Sequence, residues 1–476
     1  MSRLVPAPVF VLVLASALLA GCTLAPAYQR PAAPVPTQWP SGPAYIAPTD
    51  LAVADWRQVF VDPKLQAVID QALANSRDLR VAIAQIEASR AQYHVQRADL
   101  LPKINASIGM QTGRQYTGLP PSLGGAYENE TAYSTSVGTT AYELDLFGRV
   151  RSLTKSALEA YLATEEARRS TQISLVAEVA SDYLTYAADA SLLQVSRTTV
   201  TSAQANFDLA KQRMEGGIAS QLDVSNAETI LDQAQDDVAR YTTQVAQDKN
   251  ALDLVVGAPV APENLPSGID DPATRLGEAP SALDSTVLLR RPDVLEAEHT
   301  LRGANANIGA ARAAFFPQIS LTASGGTESV ALSSLFSRGA GVWSFAPTIT
   351  LPIFAGGANV ANLDYAKAED RIDVAQYEKA IQTAFREVAD ALAQRGTITE
   401  RLRAQHAQVT AAAESLRLAE ALYKRGSDSY LDVLTAQRTL YAAQQSLIAV
   451  QLIEHTNTVT LYKALGGALS DRGKDG

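Results

Sequence analysis

Two stretches of the chain alternate apolar residues with small polar ones, which is the pattern of a β-strand with one apolar face. The apolar members are Ile104, Ala106, Ile108 and Met110 in the first stretch and Ile319, Leu321 and Ala323 in the second. Each stretch leads through a segment rich in Gly, Ser and Pro, at about 113–132 and 326–341, to a returning strand predicted over 133–147 and 343–354. The sequence therefore predicts two pairs of antiparallel strands.

Residues 150–215 and 358–425 predict two very long helices. Neither range contains proline, and both are rich in residues that favour helix. Apolar residues recur at steps of three and four, as in the seam of a coiled coil. Examples are Ile173, Val176, Ala180 and Tyr183 in the first range and Ile381, Phe385, Val388 and Leu392 in the second. At 1.5 Å per residue, ~65 residues make a rod of roughly 100 Å.

A duplicated segment marks the place where each long helix turns back. Residues 217–227 read GIASQLDVSNA, and residues 426–436, which lie 209 positions further on, read GSDSYLDVLTA. Other matches share this offset, so the sequence predicts an internal twofold repeat. The first repeat covers 61–265, with a strand pair at about 103–147 and a long helical hairpin over 150–256. The second covers 266–467, with a strand pair at about 318–354 and a hairpin over 358–465.

The N-terminus has the features of an export signal. Arg3 precedes an apolar run over 9–19 that is too short to span a bilayer and is followed by Ala20, Gly21 and Cys22. This ending resembles a bacterial lipobox, in which the chain is cut before a lipidated cysteine. We therefore expect a lipoprotein signal peptide over 1–21, a lipid-anchored N-terminal tether over 22–60 and a C-terminal tail over 468–476. An ordinary signal peptide with an incidental cysteine is the alternative.

Composition narrows the function classes. The chain has 40 Lys and Arg against 50 Asp and Glu, a net charge of -10, which argues against a partner that is a nucleic acid. A single cysteine and four scattered histidines predict neither a metal site nor a cofactor. The chain carries no glycine-rich nucleotide-binding motif and no second histidine after Glu298-His299. An enzyme is therefore disfavoured.

Four strands per chain pose a problem in a membrane, because an open sheet leaves backbone groups unpaired in lipid. Two chains would supply eight strands, and a barrel of about eight is filled by its own side chains. Three chains would supply twelve, which leaves a lumen. We therefore expect a homotrimer whose hairpin loops, near Gly124 and Gly339, face the cell exterior.

The lipobox, the repeated strand pairs and long helices, and the string LRRPDV at 289–294 resemble the TolC-like outer-membrane efflux proteins, lipoprotein (NodT/OprM-type) branch. The resemblance implies an α+β membrane protein, a homotrimer with a twelve-stranded outer-membrane β-barrel continuous with a coiled-coil α-helical periplasmic barrel. It implies a passive duct without cofactors that exports small molecules such as drugs. The implied partners are outer-membrane lipid, a periplasmic adaptor (membrane fusion) protein and an inner-membrane transporter of the resistance-nodulation-division (RND) type. A type I secretion duct and a lipid-anchored periplasmic adaptor remain alternatives.

The resemblance also assigns functional residues. The periplasmic gate would be formed by Tyr423, Asp428, Leu431 and Asp432. The tips that dock the adaptor would be formed by Gly217, Ser220, Gly426 and Ser429. Asp432, like Asp223 in the first copy, is open to a purely structural role as a helix cap, which we favour for Asp223. Arg290 and Arg291 are expected to tie the two repeats together.

Overall fold

The computed structural model of the chain describes residues 23–45, 55–116, 127–277, 284–427 and 429–467. Cys22 and Asp428 lie outside these residues, as do the predicted signal peptide, the predicted C-terminal tail and the loop around Gly124. The chain forms two compact units. The sheet unit is Met1–Pro31, Ile86–Thr164 and Ala297–Tyr377, and the helical unit is Ala32–Gln85, Glu165–Glu296 and Glu378–Gly476.

The described residues are mostly helical with one small sheet. The helices are α1 (Trp56–Val59), α2 (Pro63–Asn75), α3 (Arg77–Ala98), α4 (Arg149–Glu215), α5 (Gln221–Val256), α6 (Pro292–Ala313), α7 (Ala358–Lys424) and α8 (Tyr430–Ala464). The strands are β1 (Ile104–Tyr116), β2 (Tyr127–Glu143), β3 (Gln318–Ser329) and β4 (Gly341–Thr350). The two long helices predicted from the sequence are present as α4 and α7. Within the described residues, no helix combines the length and apolar character needed to cross a membrane.

The four strands form one antiparallel sheet in the order β1-β2-β3-β4. Its register places Val137 beside Gly325, and Gly325 beside Trp343, so residues of this parity share a face. That face carries the apolar side chains Ile104, Ile108, Met110, Val137, Ile319, Leu321, Trp343, Phe345 and Ile349. The opposite face carries the polar side chains Ser107, Gln111, Ser136, Ser324, Ser344 and Thr348. The sheet is therefore apolar on one face and hydroxyl-rich on the other.

The strands differ from the prediction at their ends. β1 continues to Tyr116 and β2 already begins at Tyr127, so paired strands occupy both ends of the segment predicted as a loop over 113–132. The alternation of apolar residues fades there, but the backbone ladder does not need it, and the hydroxyls of Thr112 and Thr131 meet across it at 3.1 Å. β4 ends at Thr350 instead of 354, because its partner strand β3 begins at Gln318, the residue opposite Thr350.

The core of the helical unit lies where the predicted seam of α4 meets α2 and α5. Val176, Ala180 and Tyr183 are buried in it. The Tyr183 hydroxyl donates to the Asn264 carbonyl at 2.9 Å, which satisfies its polar group. Trp56 and Phe60 belong to the same core, so the predicted tether over 22–60 is too long: its last residues fold into α1 and pack against the helices. A helix of 4 residues is too short for the helical period to be visible in the sequence.

The earlier part of the predicted tether is extended but packed. Within the helical unit, the Trp39 ring stacks on Phe385 at 5.2 Å, and the Ser285 N–H donates to the Thr37 carbonyl at 2.9 Å. Within the sheet unit, Arg30 forms an ion pair with the buried Glu298. The described N-terminal residues therefore form part of both units instead of hanging free.

The expected role of the arginine pair is corrected by the structure. Arg291 is buried and its guanidinium binds Asp293 at 2.7 Å, Glu387 at 2.9 Å and the carbonyl of Ala464. All three partners lie in the second predicted repeat, so Arg291 ties together the start of α6, α7 and the end of α8 within one repeat. The expectation that it joins two repeats was wrong, because the string LRRPDV contains no information on its long-range partners. Arg290 is exposed.

Candidate gate and docking tips

Both helical hairpins turn at a glycine with a left-handed backbone. Gly217 follows α4 with a φ of +73°, and Gly426 follows α7 with a φ of +74°. In the first tip the Ile218 N–H donates to the Arg213 carbonyl at 2.8 Å, and in the second the Ser427 N–H donates to the Leu422 carbonyl at 3.0 Å. These are the bonds of a Schellman helix end, for which glycine has the least strain. The duplicated glycines are therefore required by the turn itself.

The duplicated serine and aspartate lie at the start of each returning helix. In the first tip Ser220 and Asp223 form a capping box: the Asp223 N–H donates to Ser220 Oγ at 3.2 Å, and the Ser220 N–H donates to the Asp223 carboxylate at 2.9 Å. The expectation that Asp223 caps its helix is confirmed. In the second tip the Ser429 hydroxyl donates to the Asp432 carboxylate at 2.6 Å.

Tyr423 lies inside the helical unit. It is 5% exposed and packs against Tyr430 with ring centroids 5.1 Å apart. The Arg213 guanidinium lies over the Tyr423 ring at 4.2 Å and donates to the Tyr423 carbonyl at 2.8 Å. In this conformation the Tyr423 ring is therefore held within the chain, and its expected role in constricting the gate stays a prediction. Burial by Tyr430, which lies on the next helix, could not be read from the sequence.

Large apolar side chains remain exposed at the tips. Leu431, an expected gate residue, is 63% exposed, and Ile218 and Leu222 in the first tip are 72% and 68% exposed. Exposed large apolar side chains that lie together mark a surface for a partner. Ile218 and Leu222 were not among the residues selected from the sequence, although both lie within the duplicated segment.

A line of buried polar groups crosses α4, α5 and α8 further from the tips. The Tyr441 hydroxyl donates to the buried Asp237 carboxylate at 2.7 Å and lies 2.8 Å from Ser196 Oγ. Burial and the neighbouring Asp237 raise the pKa of Tyr441 to about 12. Tyr441 therefore stays neutral and keeps its proton for this bond.

The sheet supplies the other functional feature. Because β1 and β4 are the outer strands of the order β1-β2-β3-β4, each has one neighbouring strand. Each of these strands therefore has one edge that no strand of the described chain covers. Across the same described residues there is no group of three His, Cys, Asp or Glu side chains placed to bind a metal ion.

Comparison with known proteins gives consistent matches over almost the whole chain. The family described as outer membrane efflux protein matches residues 68–258 and 283–467. The probable efflux pump outer membrane protein TtgC of Pseudomonas putida KT2440 is 50% identical over 455 residues, which cover 94% of this chain and 93% of the relative. The toluene efflux pump outer membrane protein TtgC of another Pseudomonas putida strain has the same identity and coverage. The open state of the MtrE outer membrane channel of Neisseria gonorrhoeae is similar in structure, with a TM-score of 0.84, 37% identity and coverage of 94% of this chain and 98% of MtrE.

Proposed function

Because the chain belongs to the outer membrane efflux protein family, we propose that it forms the exit duct of a tripartite RND-type pump. As a member of that family it is an efflux channel protein of the outer membrane and not an enzyme. Its partners in the proposed pump are a periplasmic adaptor and an inner-membrane transporter. Small molecules such as drugs are the proposed cargo, and the name of one relative, a toluene efflux protein, suggests small aromatic solvents as well.

The two-faced sheet is the observation that carries this proposal. Its apolar face suits lipid and its hydroxyl-rich face suits water, as in a transmembrane β-barrel. A bilayer does not tolerate the open edges of β1 and β4, since each unpaired backbone group in lipid costs several kcal/mol. Pairing the β1 edge of one copy with the β4 edge of the next removes both edges. Three copies of the four-stranded sheet then close a twelve-stranded barrel with a lumen.

The helical part is proposed to continue this duct into the periplasm. α4 and α7 are each 67 residues long, and each is followed by a returning helix with the same turn. This likeness, together with the constant offset of 209 residues in the sequence, supports the proposed twofold repeat. Two hairpins per chain would give six hairpins around the threefold axis of the trimer.

The two tips are proposed to have different tasks. The exposed Leu431 and the carboxylate of Asp432 suit a gate, because three copies around the axis would give an apolar and an acidic ring. Tyr423 supports this gate by packing behind it against Tyr430. Ser429 positions Asp432 through its hydroxyl. Asp428 and the lipid on Cys22 belong to the proposal on sequence grounds alone.

The first tip is proposed to dock the adaptor. Its turn leaves Gly217 facing open space and exposes Ile218 and Leu222, while Ser220 and Asp223 are occupied with capping the helix. Gly426 makes the corresponding turn in the second tip, where the same docking surface would continue.

The test of the proposed function is the mass and conductance of protein extracted in detergent from outer-membrane fractions. We expect a particle of three chains that produces discrete ion-conducting steps in a planar lipid bilayer. A monomeric particle without conductance would overturn the proposal, because four strands alone leave two open edges. A Cys22→Ser variant, still trimeric when inserted but no longer labelled by radioactive fatty acid, would separate the anchor from the channel.

A further inference from the structure

A cavity of about 400 Å³ lies in the sheet unit where strands meet helices. Its wall is formed by the β2–α4 connection, the α6–β3 connection and the end of β4. Its size falls within the range of about 300–1,000 Å³ that is usual for sites that bind small molecules. We propose that this cavity binds aromatic solutes that carry an N–H or O–H donor while they pass through the channel.

Two phenylalanine rings give the cavity an aromatic wall. Phe147 and Phe316 stack with their centroids 4.8 Å apart and an angle of 23° between their planes. Phe316 is 41% exposed, so part of its surface remains available to a further ring. Aromatic rings attract one another in such offset stacks beyond the burial of their area. An aromatic solute therefore has a preferred place against this wall.

The carboxylates in the cavity wall favour a solute that carries a hydrogen-bond donor. Glu143 is occupied, since Arg149 binds it at 2.6 Å and the Gln318 amide donates to it at 2.7 Å. Asp145 accepts from the Arg151 N–H with Oδ2 at 2.9 Å, whereas its Oδ1 is buried and has no hydrogen-bond partner among the described residues. An unpaired carboxylate oxygen is unfavourable, and a bound N–H or O–H group would satisfy it after the Asp145 side chain turns toward the cavity.

The register places the cavity on the side that solutes would pass. A shift in the ladder between Thr139 and Tyr142 brings Glu143 opposite Ser320, and Gln318 lies opposite Thr350. Because this is the hydroxyl-rich face of the sheet, it is the face that the proposed barrel turns to its lumen. The inference rests on the proposed function at this step, because the lumen exists only if three sheets close into a barrel.

Block of the ion current by benzylammonium in planar bilayers tests the proposal. We expect benzylammonium to reduce the conductance of the trimer in a concentration-dependent way. Phe316→Ala should raise the half-blocking concentration about threefold to tenfold, as expected for the loss of one aromatic contact. Phe315→Ala is the matched control, since Phe315 is the preceding residue and is 40% exposed but does not line the cavity. It should change the half-blocking concentration by less than about twofold.

A second comparison changes the ligand instead of the protein. Benzyltrimethylammonium has the same charge and ring but no N–H donor, so it should block only at higher concentration than benzylammonium. Phe316→Leu provides the same loss of the ring if the alanine variant does not assemble, and Phe316→Tyr should be blocked like the unmodified protein. Equal block of Phe316→Ala and the unmodified protein would overturn the proposal. Absence of any conductance would instead count against the channel function.

Discussion

The two helical hairpins turn in the same way but are held differently. Gly217 and Gly426 share their backbone conformation and their helix-ending bonds. Tyr430 is buried against Tyr423 in the second hairpin, whereas the residue 209 positions earlier, Gln221, is exposed. The conformation of the turn is thus fixed by local residues, while the stability of each tip depends on the side chains that pack against it. A tip that lacks this ring pair suits docking, and a tip braced by it suits a gate that has to remain closed.

The largest expected effect is at the first tip. A side chain at Gly217 would meet open space within the chain, although the left-handed backbone strains a Trp there by about 1–2 kcal/mol. This strain is confined to the turn, so Gly217→Trp should leave trimers intact but obstruct docking. We expect drug export to fall to the level of a strain without the channel, measured as antibiotic susceptibility. Gly217→Asn is the control, because Asn tolerates the left-handed backbone and adds much less bulk than Trp, and it should export normally.

Normal export by Gly217→Trp would show that the first tip is not the docking surface. Gly426→Trp tests the comparison itself. If the second tip is a gate, this variant should change the conductance in planar bilayers more strongly than it changes drug export. An identical loss of export in both variants, with unchanged conductance, would remove the distinction between the tips.

The next effect concerns the ring pair that braces the second tip. Tyr430→Ala should destabilise this tip by about 3–5 kcal/mol, because it leaves a cavity beside Tyr423. Tyr430→Phe should cost less than about 1 kcal/mol, since the buried hydroxyl has no hydrogen-bond partner among the described residues. Hydrogen exchange of the amides near residue 430 measures both. Gln221→Ala in the first tip should change its own exchange by less than about 0.5 kcal/mol.

A smaller effect is expected from Arg213, which links the hairpins by lying over Tyr423. Arg213→Met removes the contact between charge and ring and the bond to the Tyr423 carbonyl, together about 1–3 kcal/mol. The gate should then open at least about fivefold more often in single-channel recordings. An Arg213→Met variant with unchanged opening, despite a correct trimer, would show that this brace does not restrain the gate.

Sequence periodicity predicted the elements whose signals are local. Both long helices and the four strands follow from their spacing, and the tips follow from Gly, Ser and Asp at fixed positions in the duplicated segment. These residues act on the backbone within a few positions of themselves, so their effect can be predicted from a single sequence. The resemblance to a family supplied the function, which the comparisons bear out.

Long-range partners could not be predicted in the same way. Tyr423 is buried by a ring on the next helix, and Arg291 binds Glu387, which lies 96 residues away. The N-terminal segment was predicted to be a tether, since nothing in its sequence reveals that Trp39 stacks on Phe385. In each case the missing information is the identity of a neighbour in space, which no periodicity encodes.

The middles of the hairpins differ in charge as well. α4 and α5 bring the carboxyl groups of Asp189 and Asp248 close enough to interact, with Arg240 and Tyr241 nearby. At the corresponding positions of the second hairpin, 209 residues further on, Ile398 and Asn457 are buried. The Asn457 amide donates to the Ala391 carbonyl at 2.9 Å. One hairpin therefore contains a titrating pair where the other contains neutral groups.

The smallest expected effect is the pH dependence that this pair gives to the first hairpin. Burial, the bond to Asp248 and the charge of Asp248 raise the pKa of Asp189 to about 7, although Arg240 opposes the shift. Between about pH 4 and about pH 7 the folded chain therefore holds a proton that the unfolded chain has lost, so stability falls as pH rises through this window and is lowest above it. Asp189→Asn should raise the melting temperature at about pH 8 by a few degrees and leave it nearly unchanged at about pH 4, as followed by circular dichroism. Asp236→Asn, at an exposed position of α5, should alter neither value, and a variant at position 189 that loses stability with pH as steeply as the unmodified chain would contradict the assignment.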